Sequence, residues 1–113
     1  MLTVDGLREF GADVDSGLAR CMKNEAFYLK LVGKAVDEAA FGKLEDAIAA
    51  GDLDAAFEAA HSLKGVAGNL SLTPIYEPVA KITEYLRSRT DMDYTELMDR
   101  IRSQRERLAK LCV

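Results

Sequence analysis

The chain contains a single histidine, His61, and the residues that follow it have types and spacing suited to group transfer. Lys64 comes three positions later, Gly65 four and Gly68 seven. In a helix each residue advances about 100°, which sets Lys64 about 60° from His61 around the axis, Gly65 about 40° and Gly68 about 20°. A histidine, a lysine and two glycines then share one strip. A neutral imidazole, with an ordinary pKa of about 6.5, keeps a lone pair free near neutral pH and can act as a nucleophile. A lysine one turn away can neutralise phosphoryl oxygens as a point charge without reacting itself. Each glycine inside a helix costs about 1 kcal/mol relative to alanine, from a total stability of about 5–15 kcal/mol. A bare strip beside the ring makes sense if another protein's backbone must come close to it.

Each residue alone has a plainer reading. A lone surface histidine is ordinarily a solvated side chain, and Lys64 alone is an ordinary surface lysine. Two glycines can serve close helix packing or mark the end of a shorter helix. The coincidence of all four on one face is what points to chemistry. Ser62 does not join them: adjacent helical residues diverge by about 100°, so His61 and Ser62 cannot form a base–nucleophile pair.

The elements that must position this strip are helical. Proline occurs only at Pro74 and Pro78, and no stretch alternates apolar and polar residues as a half-buried strand would. Short helical segments are expected within residues 1–23, one over Val4–Phe10 and one over residues 16–22 capped by Asp15 or Ser16. Asn24 should cap a long helix running to Ala50, with a stripe of Tyr28, Val32, Ala35 and Ala39 that shifts phase to Phe41, Leu44 and Ile48. Gly42 sits at that shift and marks a bend. Gly51 and Asp52 end this helix and cap the next.

Over residues 53–70, Leu53, Ala56, Ala60, Leu63, Ala67 and Leu70 recur at spacings of three and four, the seam of a helix bundle. His61 falls about 135° from the centre of that seam and should face solvent. Thr73 and Pro74 open a further helix as cap and first-turn proline, with Pro78 distorting its first turn. Its inner face carries Ile75, Val79, Ile82 and Leu86. Asp93 and Glu96 resemble an acidic capping box for a last helix with Leu97 or Met98, Ile101, Leu108 and Leu111 inward. The expected fold is all-α: one domain over residues 1–113, with residues 24–113 forming an antiparallel up-and-down four-helix bundle.

Composition narrows the function. With 113 residues, 49% apolar and 30% charged, the chain suits one globular core and excludes a disordered one. No apolar run approaches the ~18 residues of a membrane span, and the first residues lack a signal-peptide pattern, so a soluble cytoplasmic protein is expected. Cys21 and Cys112 read as free thiols, and a single histidine without a cysteine cluster offers no usual zinc site. A net charge of −4 argues against nucleic acid as partner. The basic cluster Arg100, Arg102, Arg105, Arg107 and Lys110 reads as a solvated face with cations near a helix C-terminus. No phosphate-binding loop of the ATP-binding kind is present.

The segment His61-Ser62-Leu63-Lys64-Gly65-Val66-Ala67-Gly68-Asn69-Leu70 resembles the H-x-L-K-G signature of histidine-containing phosphotransfer (HPt) domains. The likeness extends over most of the chain, including the run over residues 50–60 before it and the proline segment after it. It is similar to the small standalone bacterial forms. The resemblance implies a phosphorelay intermediate: its histidine takes a phosphoryl group from the aspartyl phosphate of a response-regulator receiver domain and passes it to another receiver. On that likeness His61 would be the phosphoacceptor through Nε2, Lys64 would stabilise the phosphoryl oxygens, and Gly65 would leave room for the receiver. Gly68 would join the docking surface, and Asn69 matches the motif without an assigned role. Apart from the likeness, an exposed apolar Phe57 beside His61 suits a docking surface for a receiver helix. Side chains on the next helix often assist in the family; Lys81, Thr83 and Glu84 lie in that region without a role carried over. Ser71 stands where many members have glycine, a departure expected to alter the helix's C-terminal turn.

The implied partners are receiver domains and a hybrid sensor kinase. The protein itself is expected to be a monomer that holds no cofactor, with magnesium supplied by the receiver. Three rivals compete. An adaptor would bind a receiver or another helical partner without transfer. An acyl-carrier-like protein would need a modifiable serine at a helix start, whereas Ser62 lies mid-helix. A structural bundle could oligomerise through an exposed Phe57.

Overall fold

The computed structural model describes residues 1–113. It is all-helical, with α1 Val4–Phe10, α2 Val14–Arg20, α3 Glu25–Val36, α4 Ala40–Ala50, α5 Leu53–Asn69, α6 Thr73–Arg87 and α7 Thr95–Leu111. No helix is long and apolar enough to cross a membrane.

Local punctuation sets most of the boundaries. The Thr3 hydroxyl accepts from the Gly6 amide to start α1, and Gly11 ends it in the left-handed region at φ 109°. Asn24 caps α3 as expected, its side chain accepting from Phe27 N at 3.0 Å. Gly51 takes φ 71° after α4, and the Asp52 carboxylate accepts from Ala55 N at 3.0 Å to start α5. These contacts satisfy the backbone groups that helix ends leave unpaired.

Several expectations are corrected. The second N-terminal helix starts earlier than expected, because Asp13 rather than Asp15 or Ser16 supplies the cap, accepting from Ser16 N at 3.3 Å. It stops at Arg20, and the chain then turns through Met22 and Lys23 at φ 56° and 59°. The expected helix over residues 24–50 is two helices. It breaks at residues 37–39 and not at Gly42, which lies inside α4. The phase shift of the apolar stripe is the cause: Val32 and Ala35 face the core before the break and Phe41 and Leu44 after it, while Ala39 is exposed. Arg105 of α7 spans the break. It donates from Nε to the Val36 carbonyl at 2.9 Å and stacks 4.5 Å over the Phe41 ring.

At α6 the cap residue is Leu72 and Thr73 is already helical. The helix runs unbroken past the buried Pro78. At α7 no capping box forms; Asp93 accepts from Thr95 N at 2.9 Å, and Glu96 sits in the first turn without a capping bond.

Consecutive helices from α4 to α7 pack on one another, and α1 and α3 pack on α7, with α2 against α1 and α3. One cluster of 29 buried residues forms the core, among them Ala56, Ala59, Ala60, Leu63 and Ala67 of α5. Alanines on that face let α4 and α6 approach closely, which fixes the rotation of α5 and turns His61 outward. The C-terminal cations are not simply a solvated face. Besides Arg105, Arg102 donates to Glu45 of α4, and Arg107 stacks 5.0 Å over Phe10 of α1, so each ties α7 to an earlier helix.

Candidate functional site

His61 is exposed in the middle of α5, with Lys64 half-buried and Gly65 exposed on the following turn. A Cβ added at Gly65 would meet nothing within 4 Å. The glycine is therefore not demanded by this chain's own packing, and the surface beside the ring is left flat.

Gly68 differs. A Cβ there would sit 3.2 Å from Cε1 of Tyr76, so the ring of α6 occupies the space its missing side chain leaves. Asn69 is exposed and lines the same groove, together with His61, Lys64, Gly65, Gly68, Asp13 and Arg20. Neither Arg20 nor Tyr76 is legible from helical spacing, since neither lies on the helix of His61.

The groove closes where α5 ends. Ser71 adopts φ 56°, Leu72 N donates to Ala67 O at 2.9 Å, and Ser71 N donates to Gly68 O at 3.2 Å. Those bonds are the Schellman pattern, in which the left-handed residue is ordinarily glycine. The serine in place of the usual glycine thus acts on the helix turn, as expected. Groups from α2, α3 and the residue before α2 complete the end of α5. Asp13 N donates to Ser71 O at 2.9 Å, the buried Tyr28 hydroxyl to Leu70 O at 2.8 Å, and Arg20 to the Gly68 carbonyl.

On the other side of His61 lies Phe57, one turn earlier. It was expected to be exposed; it is half-buried against the core. Its ring stacks on the His61 ring, centroids 5.8 Å apart and planes 21° from parallel. The guanidinium groups of Arg87 and Arg89 lie 5.1 Å and 5.3 Å from its centroid. Arg89 is held there by Asp54 at 2.5 Å.

Of the α6 residues, Glu84 reaches the site: its carboxylate is 3.9 Å from Lys64 Nζ and 3.4 Å from Arg87 Nε. Thr83 is fully buried and donates to the Val79 carbonyl at 2.6 Å, while Lys81 is exposed. The arrangement offers a nucleophile braced on one side by an aromatic ring. A cation one turn on is held only loosely, and a flat surface lies beyond it. It can take up a small, highly charged group presented by another macromolecule.

No curated protein and no solved structure matches the chain. The Hpt domain family matches residues 37–111, a span that holds α4 to α7 and every residue of the histidine strip. The chain belongs to the Hpt domain family, whose members carry out histidine phosphotransfer in two-component signalling.

Proposed function

We propose that the protein is a phosphorelay intermediate whose phosphoacceptor is His61. The observation that carries this reading is the shared exposure of His61, Lys64 and Gly65 on α5, with open space over Gly65. The Nε2 lone pair of neutral His61 attacks the phosphorus of a receiver's aspartyl phosphate. The bond from phosphorus to the aspartate oxygen breaks, and the carboxylate leaves with its electron pair; Nδ1 keeps its proton. Lys64 balances charge on the phosphoryl oxygens. Transfer to a second receiver, or back to the first, runs the same step in reverse. Magnesium belongs to the receiver, which positions the acyl phosphate. Gly65, Phe57 and the edge of Gly68 form the docking surface, and Asn69 lies at its rim.

The reading takes residues 1–113 as one monomeric unit. Short N-terminal helices then pack on an antiparallel up-and-down four-helix bundle working in the cytoplasm between receivers, with a hybrid sensor kinase as a further partner. The succession of short loops and neighbouring contacts from α4 to α7 supports that topology.

The test charges receiver domains from the source organism with a small phosphodonor, removes the donor, and mixes each with wild type or His61→Gln. Acid-labile, base-stable phosphate on the 12.4 kDa chain is followed with time. Transfer to wild type and none to His61→Gln is expected. If no receiver in a full panel loses phosphate to either, the carrier reading fails and a non-transferring adaptor takes its place.

A further inference from the structure

Arg20 is the last residue of α2 and lies outside the residues that the family matches. It nevertheless lines the groove that contains His61 and Lys64. Its guanidinium donates to the Gly68 carbonyl, a bond that also places a cation at the negative end of the α5 dipole. Arg20 takes part in none of the chain's six ion pairs. A guanidinium carries five N–H donors in a planar fork suited to carboxylates and phosphates, and one of them is used. The groove is lined by Arg20, Lys64 and Asp13, and Lys64 already has the Glu84 carboxylate at 3.9 Å. On a chain of net charge −4 Arg20 is therefore the groove's cation without a carboxylate partner.

We infer that Arg20 is a receiver-docking residue, contacting an anionic edge of the partner when the phosphoryl group is brought to His61. This rests on the phosphorelay reading above. A domain that presents an acyl phosphate and holds magnesium through carboxylates offers an acidic rim around its reacting centre. Charge complementarity at such a rim speeds encounter and fixes orientation more than it changes the chemical step. A side chain held at the groove wall by one carbonyl, with its remaining donors free, is already oriented for that contact. The N-terminal helices thus supply a recognition element that α4 to α7 lack.

A plain structural role, Arg20 capping α5, makes different predictions, and the variants separate the two. Arg20→Gln keeps an N–H donor for the Gly68 carbonyl and removes the charge, while Arg20→Lys keeps the charge. Each is compared with wild type for transfer from a phosphorylated receiver that is competent with wild type, for the dependence of that transfer on salt, and for thermal unfolding. His61 is also phosphorylated directly with phosphoramidate, which breaks its P–N bond, releases ammonia and needs no docked protein.

Arg20→Gln is expected to raise KM for the receiver about threefold to tenfold, leaving kcat within about twofold, and to weaken the salt dependence. Arg20→Lys should restore most of the loss. Labelling by phosphoramidate and the midpoint of unfolding should stay unchanged in both. Equal KM for wild type and Arg20→Gln overturns the inference, as does a loss that appears equally with phosphoramidate or follows a fall in unfolding midpoint. If wild type accepts phosphate from phosphoramidate but from no receiver, the phosphorelay reading itself falls and this inference with it.

Discussion

Phe57 and His61 stack ring on ring across one turn of α5, with centroids 5.8 Å apart and planes 21° from parallel. Residues four apart on a helix are neighbours, but contact between these two rings is set by what surrounds Phe57. Its inner edge rests on the core, and Arg87 and Arg89 lie over its ring. The histidine thus has a fixed wall on one side and open surface on the other, which limits the rotamers its ring can adopt.

Phe57→Ala is expected to slow receiver-to-His61 transfer several-fold, chiefly in kcat, because the ring loses its wall. Full burial makes Phe→Ala cost about 3–5 kcal/mol; a half-buried ring should cost about 1–2 kcal/mol. Phe57→Leu should recover most of the stability and little of the rate. Urea unfolding and rapid-quench transfer measure the two, and an unchanged kcat in Phe57→Ala removes the wall from the account.

Two glycine substitutions should have opposite effects on stability. A Cβ at Gly65 meets nothing, whereas at Gly17 it would lie 2.6 Å from the buried Tyr28 ring. Gly65→Ala should therefore stabilise the fold by up to about 1 kcal/mol while impairing transfer from the receiver. Gly17→Ala should destabilise it by about 1–3 kcal/mol, since the ring must shift. A stabilised Gly65→Ala protein that transfers at the wild-type rate would show that no partner approaches there.

Ser71 holds a left-handed conformation, φ 56°, at a position where glycine has no steric penalty. Ser71→Gly should raise the free energy of unfolding by about 0.5–1 kcal/mol, part of the gain being offset by the freer unfolded chain. Transfer should stay within about twofold of wild type. Chemical denaturation reads the first effect, and a destabilised variant contradicts the argument.

Lys64 has Glu84 at 3.9 Å, a partner a phosphoryl group must compete with. Exposed pairs are worth up to about 1 kcal/mol, so Glu84→Gln should favour phospho-His61 by up to about fivefold in the transfer equilibrium with a receiver. Lys64→Ala should shift it the other way. Equilibrium phosphate partitioning checks both signs.

Burial pushes the Tyr28 phenol up to about 12 from its ordinary 10.0. As pH rises past about 10 the unfolded chain ionises first. The stability contributed by the neutral phenol is therefore whole below pH 10 and lost as pH climbs toward 12. Tyr28→Phe should be less stable by about 1 kcal/mol at neutral pH, having lost the bond to Leu70 O. The gap from wild type should narrow as pH rises beyond about 10. A gap that stays constant across that window in urea titrations contradicts the assignment.

Short-range signals made much of the molecule legible in its sequence. The Asn24 and Asp52 caps, the Gly51 turn, the inward stripe of α5 and the outward strip of His61, Lys64 and Gly65 all depend on residues within a few positions of one another. Helical periodicity and end-capping act over that range. The break at residues 37–39 was not legible in the same way. Gly42 looked the weaker point locally, but the rest of the chain decided: both apolar stripes had to reach one core, and Arg105 of α7 satisfies the carbonyl the break exposes.

Tertiary structure also decided the surroundings of the histidine. Tyr76 over Gly68, Glu84 near Lys64, and Arg87 and Arg89 over Phe57 come from α6 and the turn after it, and Arg20 comes from α2. Which side chain reaches which is set by how the helices rotate and pack, and by how far long side chains extend across a groove. Local spacing along α5 was enough to set out the strip and to turn it outward. Only the packed fold determined what braces the ring, and where a charge from the N-terminal helices enters the site.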